Sequence, residues 1–477
     1  MLFNSFAFAA FLPIVFTIYW AIGRRRVRAQ NFFLIVASYV FYGWWDWRFL
    51  SLIFISSLVD YMVGLGLAAT EQERRRKLLL MVSLVVNLGF LGFFKYFNFF
   101  VDSFVDLLTM AGLQAHPTTL RIVLPVGISF YTFQTLSYSI DIYRRKIEPT
   151  RDPVAFFAFV SFFPQLVAGP IERAKSLLPQ FLEPRRFDGR LARDGLRQML
   201  WGFFKKMVIA DNMAGHVDRI FADYTQFDGL TLVLGAFFFT IQVYGDFSGY
   251  SDIAIGASRL FGFSLMRNFA FPYFSRDFAE FWRRWHISLS TWFRDYLFIP
   301  LGGSRCSRAR RIFNIVVTFT VSGLWHGADW TYVFWGFLNG LYYIPLMLTD
   351  RQKKYTDIPA QGRLLPKFGE WMAMLGTFGL HVLGLAIFRS PNITSAFGFL
   401  GRLFERPYSG MGYGQYFEPL LLCGFLLVVD WFQRDKQYAL DLSAWPLSLR
   451  WLVYVVVILG IMVLGNFGSQ EFIYFQF

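Results

Sequence analysis

Apolar runs of bilayer length recur along the chain, and no other feature restricts its fold so strongly. They fall near residues 2–22, 31–45, 49–69, 78–101 and 122–143, and again near 370–388, 417–432 and 451–467. Between these groups, segments at about 312–328 and 330–349 flank a His326-Gly-Ala-Asp329 turn. About 20 such residues wound as a helix cross the ~30 Å hydrocarbon core of a membrane, and in lipid the helix satisfies its own backbone groups. The expected fold is an all-α polytopic membrane protein of roughly ten to twelve spans, with re-entrant and amphipathic helices around a central tunnel.

Charge gives the orientation. Arg24 to Arg28 and Glu71 to Lys77 are basic loops, and basic loops are held on the cytoplasmic side. That rule puts the N-terminus outside, 102–120 outside and Arg144 to Lys146 inside. No basic residue precedes the first run and Arg24, Arg25 and Arg26 follow it, so it reads as an uncleaved span rather than a signal peptide. The net charge of +14 would suggest nucleic acid on a soluble protein. With 55% hydrophobic and 21% aromatic residues, loop arginines explain the charge and lipid is the expected surroundings. Cys306 and Cys423 are too few for a disulfide framework, and five histidines leave little material for a metal site. Asn392-Ile-Thr394 fits a glycosylation pattern that is common by chance.

One continuous domain over 1–477 is expected, in four parts: spans over 1–146, a shallow basic cytoplasmic layer over 147–228, a core over 229–349, and C-terminal spans over 350–477. In the second part, 154–170 and 190–212, with Lys205 and Lys206, read as re-entrant or interfacial helices able to meet an anionic donor or the lipid surface. In the third part, 229–256 is apolar but interrupted by Asp246, Ser248 and Asp252, which must be paired or wet at that depth. They line a reaction chamber or bond to neighbouring helices.

The stretch Tyr273 to Ile299 carries the chemistry. At helical spacing Phe278, Phe281, Trp282, Trp285, Leu289 and Trp292 share a face, with His286 at its edge beside Arg283 and Ser290. The same pattern suits an interfacial helix with arginines among headgroups. A second histidine, His326, lies in the apolar run Ser322-Gly-Leu-Trp325-His326-Gly327, where an ionisable group is costly and marks function by default. Arg283, Arg284 and Arg294 could meet a phosphate of a donor or lipid headgroups. Trp282, Trp285 and Trp325 could wall an acyl tunnel or pack in the core. His116, His216 and His381 lack such surroundings and read as structural.

Phe281-Trp-Arg-Arg-Trp-His286 with the following Ile-Ser-Leu-Ser, Phe298-Ile-Pro-Leu-Gly-Gly303 and Gly323-Leu-Trp-His-Gly327 resemble the membrane-bound O-acyltransferase family, in its bacterial polysaccharide branch. Leu124 to Phe133, Phe163 to Glu172, Asp246 to Asp252 and Glu471 to Phe477 extend the likeness over almost the whole chain. The resemblance implies acyl transfer to a hydroxyl with His326 essential and His286 in support, orienting a thioester or donating to an oxyanion. It also implies acetyl-CoA as donor substrate, an exopolysaccharide such as alginate as acceptor, the bacterial inner membrane as location, and an extracytoplasmic serine-hydrolase-like partner. A hydroxyl is a poor nucleophile, and imidazole is the side chain suited to take its proton near neutral pH. Peptidoglycan, cellulose, teichoic acid or a lipid as acceptor, and a transporter or polymer-export component using His286, His326 and Asp246 as a path, stay open on the residues alone. No internal repeat of the kind common in such carriers is visible, and no Gly-x-Ser-x-Gly elbow supports a covalent serine.

Overall fold

The computed structural model describes residues 1–113, 120, 122–409, 412–468 and 472–475; His116, Glu471, Gln476 and Phe477 lie outside the described residues. Those described form helices, turns and loops, with no strand among them. The chain divides into two compact units, Met1–Ala192 with Ser258–Leu265, and Arg193–Ala257 with Met266–Phe477.

The first unit contains α1 (Phe6–Ala21), α2 (Val27–Asp46), α3 (Leu50–Ala68), α4 (Glu73–Leu91), α5 (Phe97–Met110), α6 (Ile128–Tyr143), α7 (Pro153–Ser161), α8 (Phe163–Leu166) and α9 (Ala174–Leu182). A polar knot fastens α3, α4 and α6. The buried Asp60 carboxylate accepts from Ser139 Oγ at 2.6 Å, from Asn87 Nδ2 at 2.7 Å and from Ser83 Oγ. Every donor is a hydroxyl or amide on a neighbouring helix, the arrangement by which polar groups hold helices together where lipid supplies no hydrophobic drive. Residues 154–170, expected as one re-entrant or interfacial helix, form α7 and the single turn α8, separated at Phe162 and buried along most of their length.

From α10 (Gly189–Phe203), which crosses the boundary at 192/193, a π-helical segment Phe204–Ala210 leads into α11 (Asp211–Ala222). The long α12 (Gly229–Leu260) follows, then α13 (Phe278–Arg284), α14 (Ile287–Phe293), α15 (Arg308–His326), α16 (Trp330–Leu348), α17 (Phe368–Arg389), α18 (Ile393–Glu405), α19 (Phe417–Phe432) and α20 (Leu447–Leu464). Among the described residues six helical stretches are long and apolar enough to cross a membrane, including Gly229–Leu260, Phe368–Arg389 and Leu447–Leu464. Two further helices of the first unit differ from these. The apolar α1 is short, and α6 carries Gln134, Ser137 and Ser139 because the surrounding helices, not lipid, enclose it. Conversely, the lipid-type surface of α20 leaves Val457 as its one buried residue.

The α15–α16 hairpin in the second unit is packed closely, and glycine makes it so. A Cβ added at Gly323 would stand 2.2 Å from the Tyr332 carbonyl oxygen and 2.9 Å from Gly336 Cα. Backbones in such contact leave no room for a side chain, the small-residue packing typical of membrane helices. Gly323 lies one turn before His326. Gly323→Ala is expected to cost about 1–3 kcal/mol, read as a lower melting temperature in detergent together with reduced turnover; an unchanged melting curve would refute this account of the crossing.

Candidate active site

Two histidines from distant parts of the chain meet inside the second unit. His286 and His326 are 0% and 3% exposed, with ring centroids 6.5 Å apart and planes at 66°. His326 is the last residue of α15, delivered by the glycine-packed hairpin. Around it stand Trp325 at 5.0 Å, Trp335 at 5.2 Å and Phe388 at 5.8 Å. Phe247 of α12 meets the His286 ring edge-on at 4.5 Å.

The stretch 273–299 is not the single helix its spacing suggests. It breaks at Trp285–His286, and His286 adopts a left-handed backbone, φ 42° and ψ 54°, as N-cap of α14. A non-glycine residue held there costs on the order of 1–3 kcal/mol, and such outliers gather at functional sites. Two flanking bonds hold the break: Ala270 N–H donates to Arg284 O at 2.9 Å, and Ile287 N–H donates to Asn268 O at 2.9 Å. The imidazole thereby leaves the helix face and turns into the chamber.

The predicted tryptophans divide. Trp325 lies against both histidines, 6.1 Å from His286. Trp282 reaches the chamber through Trp335 at 6.0 Å. Trp285 stands behind Phe269 in a separate aromatic stack with Phe281, Tyr273 and His381. His381 is buried there with neither ring nitrogen hydrogen-bonded among the described residues, whereas His216 lies half-buried beside Tyr416.

Asp246, Ser248 and Asp252 face the π-helical segment. Lys206 Nζ lies 2.8 Å from Asp211 and 2.9 Å from Asp246, all three side chains buried. Lys205 Nζ lies 2.6 Å from Asp252 and donates to Ser248 Oγ at 2.8 Å, while Gln198 donates to Asp252 at 2.7 Å. The two lysines, expected in a shallow cytoplasmic layer, are interior counterions. α12 and the end of α10 approach closely at Gly249 and Gly202, where an added Cβ on Gly202 would lie 2.6 Å from the Gly249 oxygen.

The arginines hold a loop. Arg283 donates to the carbonyls of Gln352 and Tyr355, and Arg284 donates to Asp357 O at 2.9 Å and pairs with Glu280. Arg276 donates to the Asp357 carboxylate at 2.8 Å, a hydrogen bond that holds that carboxyl below the usual range. Arg294 pairs with the adjacent Asp295, and its side chain is 59% exposed.

Two residues not singled out from the sequence complete the site. Asn268 contacts His286 Nδ1 at 3.2 Å. Tyr474, in the final described turn, places its ring 5.6 Å from His326 and 6.4 Å from His286. That turn is anchored by Ile473 N–H donating to Asp246 Oδ2 at 2.7 Å, and by Phe472 against Tyr250 at 4.7 Å. The terminal motif and the Asp246 motif were visible in the sequence, but not their contact. A separate apolar groove of about 470 Å³, lined by Tyr273, Phe274, Trp371, Phe378, Val428 and Trp431, contains neither chamber histidine.

The model of the membrane-bound O-acyltransferase family matches residues 41–378, a range that includes both histidines. The chain is 42% identical over 411 residues to the "Probable alginate O-acetylase AlgI" of Pseudomonas aeruginosa, covering 86% of this chain and 75% of that one. To the protein of the same printed name from Pseudomonas putida it is 36% identical over the full length of both. It is also 34% identical to the "Peptidoglycan O-acetyltransferase" of Helicobacter pylori, across 83% of this chain and 78% of that one.

Proposed function

This chain belongs to the membrane-bound O-acyltransferase family, and from that premise we propose that it moves an acetyl group from a cytoplasmic thioester to a hydroxyl on the outer side of the bacterial inner membrane, for O-acetylation of an alginate-like exopolysaccharide. It is a membrane acyltransferase; the donor, acceptor and sidedness are the proposal. The observation that carries it is the meeting of His286 and His326 in a buried aromatic chamber.

In the proposed reaction the acceptor oxygen attacks the thioester carbonyl, the new C–O bond forms and the C–S bond breaks. His326 takes the hydroxyl proton and returns it to the departing thiolate. Buried aromatic walls exclude the water that would hydrolyse the thioester. The positive-inside rule supports the polarity, since Arg305 precedes α15, Arg308, Arg310 and Arg311 form its first turn, and the basic 350–367 loop follows α16. α15 then spans about 28 Å from that side to His326 at its far end. An acceptor from outside and a donor from inside could meet there. An extracytoplasmic serine-hydrolase-like partner would pass the acetyl group on to the polymer.

The test is transfer of radiolabelled acetyl from acetyl-CoA by the purified protein in nanodiscs, with an alginate oligosaccharide as acceptor, alone and with a candidate partner. Acetyl in the oligosaccharide, or on the partner, is the expected result. No transfer from acetyl-CoA or any other thioester to either acceptor would sink the reading.

A further inference from the structure

His286 presents one nitrogen to the chamber, and the identity of the atom held by the other determines what that nitrogen can do. Its Nδ1 lies 3.2 Å from Asn268 Oδ1, while Nε2 is buried and has no hydrogen-bond partner among the described residues. The backbone N–H of Ser288 points at the same Asn268 atom at 3.3 Å, and Ser288 Oγ donates to it at 2.9 Å. A backbone N–H only donates, so the atom it faces is the amide oxygen and not the NH₂. The remaining amide NH₂ donates to Ser251 Oγ at 3.1 Å, so every assignment agrees. An amide oxygen only accepts. Nδ1 of His286 therefore carries the proton, and in the neutral ring Nε2 carries a lone pair.

We propose that Asn268 is a positioning residue that fixes this tautomer, so that His286 meets the hydroxyl acceptor and not the acyl donor. The inference rests on the acyltransfer reading above. A thioester carbonyl and its developing oxyanion offer only acceptor lone pairs, and a neutral Nε2 has no hydrogen to give them. A hydroxyl has one. His326 takes the proton of the attacking hydroxyl, and His286 accepts a hydrogen bond from the acceptor molecule, through a neighbouring hydroxyl where that molecule is a sugar. This excludes, for the neutral ring, both supporting roles the sequence suggested for His286, orienting the thioester and donating to the oxyanion.

Two measurements test it. The chain has five histidines, so ¹⁵N-histidine labelling gives a readable spectrum, with His286 assigned by its loss in His286→Gln. A protonated Nδ1 and a bare Nε2 are expected for His286, becoming a tautomer mixture in Asn268→Ala. A protonated Nε2 in the unaltered protein would overturn the proposal whatever the enzyme does. In nanodiscs with acetyl-CoA and an alginate oligosaccharide, Asn268→Ala should lower kcat/KM for the oligosaccharide by about tenfold to a hundredfold, as loss of a histidine's orienting partner commonly does. The KM for acetyl-CoA should not move. Asn268→Asp keeps an acceptor oxygen and should retain most activity, and Asn268→Ala should add nothing on a His286→Gln background. A rise in the acetyl-CoA KM, equal losses in both Asn268 variants, or multiplying losses with His286→Gln would reduce Asn268 to a packing role. Absence of transfer by the unaltered protein would count against the acyltransfer reading alone, because the spectrum still decides the tautomer.

Discussion

His326→Gln is expected to lower acyl transfer by about 10²–10⁴-fold, the range that a positioned general base contributes, with little change in KM for the thioester. Glutamine fills most of the imidazole volume between Trp325, Trp335 and Phe388, so the melting curve should stay near that of the unaltered protein, whereas His326→Ala would open a cavity and confuse folding with chemistry. The chemical reason for so large an effect is that glutamine cannot accept a proton at neutral pH. Residual transfer would come from the closed chamber and from proximity of the reactants. Added imidazole could enter the space left in His326→Ala and restore part of the rate, an effect no loss of packing would produce. A folded His326→Gln that transfers acetyl at the original rate would remove His326 from the reaction.

The spans were legible because the bilayer sets one length and one polarity for them. Hence 370–388, 417–432 and 451–467 in the sequence coincide with α17, α19 and α20 within a few residues. The histidine stretch was less legible. Helical periodicity runs through Tyr273 to Ile299 because the aromatic side chains on both sides of the break pack inward, yet the left-handed backbone at His286 is imposed by pairing of 268–270 with 284–287, which local spacing does not encode. Lys205 and Lys206 looked like surface charge because, of their counterions, only Asp211 is near in sequence, whereas Asp246 and Asp252 lie on α12. Asn268 carries no signal at all in the sequence. It sits in a loop between α12 and α13, and only tertiary contact turns an ordinary amide into the partner of a chamber histidine. Arg283 and Arg284 were legible as guanidinium groups, but backbone carbonyls of a loop about 70 residues away hold them in the structure.

Lys206→Met is expected to be the most destabilising single change in the second unit. The ammonium lies 2.8 Å from Asp211 and 2.9 Å from Asp246, and none of the three side chains is more than 5% exposed. Removing the cation leaves two carboxylates buried against each other, and breaking a buried ion pair on one side costs about 3–5 kcal/mol. The consequence extends to the site, because Asp246 also accepts the Ile473 N–H that anchors the terminal turn, and that turn holds Tyr474 against His326. Loss of melting temperature and loss of transfer should therefore appear together. The combined variant Lys206→Met, Asp211→Asn, Asp246→Asn separates charge from shape: with no ion left to strand, it should recover most of the thermal stability, since neutral groups of similar volume replace buried ions at little cost. Its asparagine at 246 still offers an oxygen to Ile473, so transfer should recover in step with stability. If Lys206→Met melts like the unaltered protein, the three side chains do not form a buried ion triad in the folded enzyme. If the combined variant is stable but inactive, charge at this triad is needed at the histidine chamber itself and not only to hold the terminal turn in place.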